Sequence, residues 1–297
     1  MMQKIKRALI VGGTHGNELI GIQLIKKLER QPELASRSSF EAMTLLANPA
    51  AINECRRYVQ QDLNRSFYPD NLQNLTKSDY ETTQARKIVD TFGANGTTPV
   101  DIVIDLHSTT SSMGLTIIMS DLPFNLLLAA YLSLVKSDVR IYLLTKFLEE
   151  SNSLTTIAPI GCTIEVGAVA QGTLNAKLFQ ETEDLLRLIL DYVETYNQNQ
   201  PLKLPESITV YKDLENIDYP RDASGEIMAM IHPQLHNHDY EALHPGDPIF
   251  LTFEGKVIYY QGSSTVYPVF INEAAYYEKN IAFSLTEKVV IYAAELI

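Results

Sequence analysis

The stretch "VDIVIDLH", Val100 to His107, constrains the fold more than any other part of the chain. It is almost continuously apolar, as a strand buried on both faces is. Such a strand needs helices above and below it, and the flanking sequence supplies them. From residue 1 to about 200, apolar runs alternate with helix-like stretches. "RALIV", "AMTLLANP", "VRIYLL" and "GCTIEVGA" read as strands. "GIQLIKKLERQ", "TTQARKIVDTFG", "PFNLLLAAYLSLV" and "NAKLFQETEDLLRLILDYVETYN" read as helices, the first with Ile22, Ile25 and Leu28 at helical spacing. This alternation predicts an α/β fold with a mixed, mostly parallel sheet flanked by helices. The polar, Pro-containing segment "NQNQPLKLPESITVYK" then breaks the pattern. Short strands with frequent Pro and Gly follow: "SITVYK", "DPIFLTF", "KVIYY" and "TVYPVFI". The expectation is a catalytic domain over 1–205 and a smaller β-rich domain over 206–297.

Composition removes several function classes. A length of 297 residues is enough to bury a large core in one or two domains. No apolar run reaches the roughly 18 residues of a membrane span. The basic-then-apolar start "MMQKIKRALIVGG" lacks the long apolar region and small-residue cleavage site of a signal peptide, so it reads as the lead into a first strand. Two cysteines, Cys55 and Cys162, make no disulfide framework, and a reducing cytoplasm is the default. A net charge of −12 argues against a nucleic-acid partner. It also means that an anionic substrate needs a local basic site.

The first strand runs into "IVGGTHGNELIG". Gly12, Gly13 and Gly16 give G-G-x-x-G, not the G-x-G-x-x-G of a dinucleotide turn, and no P-loop lysine and serine follow. His15 and Glu18 lie just past the end of this strand, and His107 ends "DIVIDL". Glu165 sits near the end of "CTIEV", and Asn64 and Arg65 follow "TLLANP". Ligands of open α/β sheets gather beyond the carboxyl ends of the strands, so these groups converge on one rim. Two histidines and a carboxylate, with a fourth position for water, are a catalytic zinc set. The residues alone leave two readings of this corner open: a metal site, or an ordinary hydrogen-bonded strand-to-helix turn. Asp105 shares a strand side with His107 and is placed to orient it or to serve the strand itself.

Several motifs carry a resemblance over Ile5 to Lys279: "GGTHGNELIG", "CRRYVQQDLNRSF", "DLHSTTSSMG", "IEVG", "DYPRDASGEI", "LHPGDPIF" and "VYPVFINEAAYYEK". In this order they resemble the aspartoacylase family, zinc-carboxypeptidase-like hydrolases of N-acyl amino acids. The resemblance implies one zinc ion per chain held by His15, Glu18 and His107. It implies Glu165 as the catalytic carboxylate, also in contact with substrate. It implies Arg57 as the residue that polarises the scissile carbonyl and stabilises its oxyanion. Asn64 and Arg65 resemble the pair that binds the substrate carboxylate, and Tyr276 a substrate-contacting tyrosine from the second domain. The implied partner is a small N-acyl amino acid, with no nucleic acid and no membrane; relatives commonly self-associate, so a homo-oligomer is in view.

One part of the pattern departs. Before the catalytic carboxylate, aspartoacylases carry a tyrosine and, four residues on, an arginine that reads the second carboxylate of the substrate. Here "EESNSLTTIAPIGC" has neither, and ungapped alignment places Ser151 and Thr155 there. N-acyl-L-aspartate is the first substrate expected; an N-acyl neutral or aromatic amino acid, or a desuccinylase substrate, is the alternative. A carboxypeptidase-like peptidase would accept long substrates. A binding protein that had lost catalysis would lack a ligand or the carboxylate, and all are present. His232, His236, His238 and His244 in "IHPQLHNHDYEALHP" read as an exposed loop rather than a second metal site, and Cys162 as a buried small residue rather than a nucleophile.

Overall fold

The computed structural model describes residues 4–74, 76–145 and 153–292. In chain order the strands are β1 (Arg7–Gly12), β2 (Glu41–Leu46), β3 (Ile102–Ser108), β4 (Gly114–Met119), β5 (Val139–Leu143), β6 (Ile160–Gly167) and β7 (Ser207–Ile217), then β8 (Ala229–Ile231), β9 (Pro248–Thr252), β10 (Val257–Tyr259), β11 (Tyr267–Val269) and β12 (Phe283–Tyr292). The helices are α1 (Leu19–Arg30), α2 (Pro49–Glu54), α3 (Pro69–Gln73), α4 (Tyr80–Phe92), α5 (Pro123–Val135) and α6 (Ala176–Asn197). Among the described residues, nine strands form one sheet in the order β11-β12-β7-β5-β4-β6-β3-β1-β2.

Strands β6, β3, β1 and β2 are parallel, so their carboxyl ends emerge along one rim. β4 pairs antiparallel with β6, which makes the sheet mixed. The parallel strands separate two cores by simple alternation. Ala8, Ile10, Ile102, Ile104 and Leu106 point to the side covered by α1 and α6, with Leu24, Ile25, Leu185 and Ile189. Leu9, Val11 and Val103 point to the other, against Ala85 and Ile88 of α4. That double burial is the physical meaning of the near-continuous apolar runs.

The glycines after β1 serve close packing. Gly13 has φ +69°, and a Cβ on Gly16 would lie 2.1 Å from the carbonyl carbon of Ala51. The turn therefore passes against the backbone of α2, where no side chain fits. Sequence reading assigned the strands after residue 206 to a smaller second unit. The structure divides them: β8, β9 and β10 form a separate three-stranded sheet, whereas β7, β12 and β11 extend the main one. β12 pairs along the full length of β7, and Ile208 and Val210 of β7 sit in the main core. No helix among the described residues is long and apolar enough to cross a membrane.

Candidate active site

The rim of β1, β2, β3 and β6 opens into a cavity of about 680 Å³. All eight residues singled out from the sequence line it: His15, Glu18, Arg57, Asn64, Arg65, His107, Glu165 and Tyr276. Each arrives by its own route. His15 and Glu18 lie between β1 and α1. Arg57, Asn64 and Arg65 follow α2, which itself follows β2. His107 and Glu165 are register partners on the adjacent parallel strands β3 and β6. Tyr276 lies in a 3₁₀ turn, Ala274–Lys279, between β11 and β12.

His15, Glu18 and His107 each offer a donor atom within 4.8 Å of the other two, and all three side chains are buried. Glu18 occupies the N-cap of α1 but makes no side-chain capping bond. Its carboxylate turns inward instead, with Oε1 2.6 Å from His15 Nδ1 and Oε2 3.0 Å from His107 Nδ1. The two Nδ1 atoms are 3.2 Å apart. The outer ring nitrogens donate to carboxylates: His107 Nε2 to Asp105 at 2.8 Å and His15 Nε2 to Asp62 at 2.9 Å. A carboxylate behind each imidazole fixes the tautomer and aims the other nitrogen at the shared point. Asn64 Nδ2, at 3.5 Å from His107 Nε2, is too far to compete with Asp105. Two imidazoles and one carboxylate gathered in this way fit a tetrahedral cation with one open position.

The electrostatics follow from burial and charge. Burial alone would push the Glu18 carboxyl up; His15 and His107 hold it well below the usual carboxylate range. Burial would lower His107, but Asp105 and Glu18 raise it well above the usual histidine value. Glu165 is the opposite case. Burial, reinforced by Glu18 and Glu273, holds its carboxyl well above the ordinary range against the pull of His107 and Arg57. Two carboxylates of one cavity are thus driven apart, one to stay ionised and one to carry a proton readily.

Arg57 donates to Glu18 Oε1 at 3.1 Å and to Asp62 Oδ2 at 3.3 Å. Its Nε is buried without a partner among the described residues. Asn64 accepts from the Leu154 backbone N–H at 2.8 Å through Oδ1, which leaves its Nδ2 as the donor end. Arg65 is exposed and hydrogen-bonds the carbonyl of Asn64 at 2.8 Å. Tyr276 packs on Phe270 with centroids 5.3 Å apart, and burial raises its phenol above the usual value. Thr155 is buried and meets Ser153 Oγ at 2.9 Å. Ser151 lies outside the described residues.

Two family models match the chain. Residues 4–193 match the succinylglutamate desuccinylase/aspartoacylase catalytic domain, and residues 206–288 match the AstE/AspA barrel-sandwich hybrid domain. The chain belongs to the succinylglutamate desuccinylase/aspartoacylase family. It is 51% identical to a probable aspartoacylase from Nostoc sp., over 97% of this chain and 98% of the relative. It is 41% identical to the N-acyl-aromatic-L-amino acid amidohydrolase (carboxylate-forming) of Mus musculus, over 97% of this chain and 92% of the relative. The crystal structure of murine aminoacylase 3 superposes with a TM-score of 0.92 at 40% identity, covering 98% of each chain. The mixed sheet with its C-terminal β-rich part is therefore a fold of this family.

Sequence reading missed three residues in and beside this cavity. Asp62 is buried and holds His15, Arg57 and Lys279 together. Glu273 is buried and accepts from the Thr109 hydroxyl, the Thr110 N–H at 2.7 Å and the Thr110 hydroxyl at 2.9 Å. Lys279 stands over the Tyr276 ring, its Nζ 5.3 Å from the centroid. Burial, with Arg65 and Arg57 nearby, lowers its ammonium against the pull of Asp62. A signal existed: in a 3₁₀ turn residues three apart eclipse, so Glu273, Tyr276 and Lys279 share a face. The exposed-loop reading of the four C-terminal histidines fits their local contacts: His238 pairs with Glu241 at 2.9 Å and His244 with Thr265 at 2.9 Å. Cys162 is buried and its thiol is pushed up to about 12, so it is a poor nucleophile.

Proposed function

We propose that this protein is a zinc-dependent amidohydrolase that cleaves an N-acyl amino acid to a carboxylate and a free amino acid, with N-acyl-L-aspartate as first substrate. One observation carries this reading. A buried His15, Glu18 and His107 donor set shares a cavity with the proton-prone carboxylate of Glu165. His15 Nδ1, His107 Nδ1 and the Glu18 carboxylate would hold the ion. Zinc bound there supplies a Lewis acid that acidifies water and polarises a carbonyl.

The chain's own residues do the rest. Glu165 takes a proton from the attacking water as its oxygen bonds to the amide carbon. It then gives that proton to the leaving nitrogen as the C–N bond breaks. Arg57 directs guanidinium N–H groups at the developing oxyanion. The donor end of Asn64 and the Arg65 fork receive the α-carboxylate. Tyr276 and Lys279 wall the cavity from the C-terminal side. Arg57, Arg65 and Lys279 bring cations into the cavity of a chain whose net charge is −12, as an anionic substrate requires. Two free cysteines suit a reducing cytoplasm.

A second reading, an N-acyl neutral or aromatic substrate, is favoured by Thr155. Where aspartoacylases carry an arginine, this chain has a buried neutral side chain. Of the cavity cations among the described residues, Arg57 and Lys279 already bind carboxylates. Ile118, Tyr142, Phe270 and Leu285 give the cavity an apolar wall. Amine release from N-acetylaspartate, N-acetyltyrosine, N-acetylleucine and N-succinylglutamate separates the readings. Dominant turnover of N-acetylaspartate supports the first and dominant N-acetyltyrosine or N-acetylleucine the second. No turnover by zinc-loaded protein sinks both.

A further inference from the structure

Asp62 is a junction. Its Oδ1 accepts from His15 Nε2 at 2.9 Å and from the Asn64 N–H at 2.9 Å. Its Oδ2 accepts from Arg57 at 3.3 Å and from Lys279 Nζ at 2.9 Å. One oxygen thus faces a metal-site imidazole, and the other faces a cation from a segment 217 residues away in the chain. Lys279 in turn stands over Tyr276. A continuous line of contacts runs from His15 through Asp62 and Lys279 to the turn Ala274–Lys279.

A second fastening joins the same two segments. The Tyr58 hydroxyl donates to Glu278, but that pair is exposed. The Asp62–Lys279 pair is not: the side chains are 6% and 18% exposed. A solvated contact contributes little, whereas a buried ammonium stripped of its carboxylate is strongly destabilising. The buried pair therefore seats the turn.

We propose that Asp62 is a positioning residue that couples metal binding at His15 to the seating of Ala274–Lys279 over the cavity. The proposal rests on the zinc-site reading above. A cation on His15 Nδ1 draws positive charge onto the ring and tightens its bond to Asp62. That orders the carboxylate which Lys279 needs. Linkage makes the effect reciprocal: if zinc steadies the turn by some factor, an intact Lys279 strengthens zinc binding by the same factor.

The test measures zinc affinity by competition with a chromogenic chelator, and amide hydrogen exchange over 274–282 with and without zinc. It compares wild type, Asp62→Asn, Lys279→Met and Tyr58→Phe. Asp62→Asn is expected to weaken zinc about 10- to 100-fold. Lys279→Met, which touches no metal ligand, is expected to weaken it about fivefold or more. In wild type, zinc slows exchange in 274–282 by a similar factor, and both variants lose that response. Tyr58→Phe keeps wild-type affinity and response. Lys279→Met with wild-type zinc affinity and an unchanged exchange response overturns the coupling. It does so even if Asp62→Asn fails to fold. Wild-type protein that takes up no zinc overturns the zinc-site reading, and this coupling with it.

Discussion

Replacing Glu165 with glutamine should lower turnover and raise stability together. The substitution keeps shape and removes only the ability to take a proton. Loss of a positioned general base and acid costs about 10²- to 10⁴-fold in rate, or about 3–5 kcal/mol of barrier. The stability effect has a definite sign. Burial, with Glu18 and Glu273 nearby, holds the folded carboxyl above its unfolded value, which is about 4.3. The folded state therefore binds more protons than the unfolded state. Glu165 contributes most favourably below the unfolded value, and that contribution is lost as pH rises through the folded one. Within the window the loss proceeds at up to about 1.4 kcal/mol per pH unit. Metal-free Glu165→Gln should therefore melt above metal-free wild type at pH 8, with the difference shrinking towards pH 4. Amine release, zinc content by elemental analysis and melting curves across pH make the test. A variant that retains a tenth of wild-type kcat, or melts below wild type at pH 8, would refute the reasoning.

Other consequences are checked as directly. His107→Ala should lose bound zinc in elemental analysis while still folding, because it removes one of three donors. Arg65→Ala should raise KM about tenfold or more with kcat little changed, since among the described residues its guanidinium has only its own neighbour's carbonyl to leave; an unchanged KM assigns Arg65 to the scaffold. Gly16→Ala should destabilise by about 1–3 kcal/mol or more in denaturant melts, because its methyl would enter the backbone of Ala51. Iodoacetamide at pH 7 should label Cys55, which is exposed, and spare Cys162, as peptide mapping would reveal.

The main sheet was legible because β1, β3 and β6 are buried on both faces and so read as unbroken apolar runs. Part of the rim site was legible for the same reason: where such a strand stops, its next polar side chain stands at the carboxyl edge, whereas Arg57 and Tyr276 came only from the resemblance. β4 escaped notice because "GLTIIM" follows β3 closely and turns back against β6, breaking the α/β alternation. β12 escaped because "FSLTEKVVIY" has solvent along half of its length. The joining of β7 to β5 rests on Tyr142 and Leu143 meeting Tyr211 and Lys212, a pairing between distant segments that no local pattern carries. Asp62 was hidden differently. Its importance lies in partners 47 and 217 residues away, and its own sequence surroundings look like a plain turn.

The sharing of one sheet by the catalytic strands and by β7 and β12 limits how such an enzyme can change its diet. A covering unit joined by a flexible tether could be traded whole between relatives. Here a whole exchange would have to rebuild a hydrogen-bonded ladder and re-pack Ile208 and Val210 in the main core. What can be rewritten without breaking that ladder is the short turn Ala274–Lys279, whose ends are fixed by β11 and β12. New appetites would then arise by editing a few side chains of this turn other than Lys279, whose ammonium Asp62 holds beneath it.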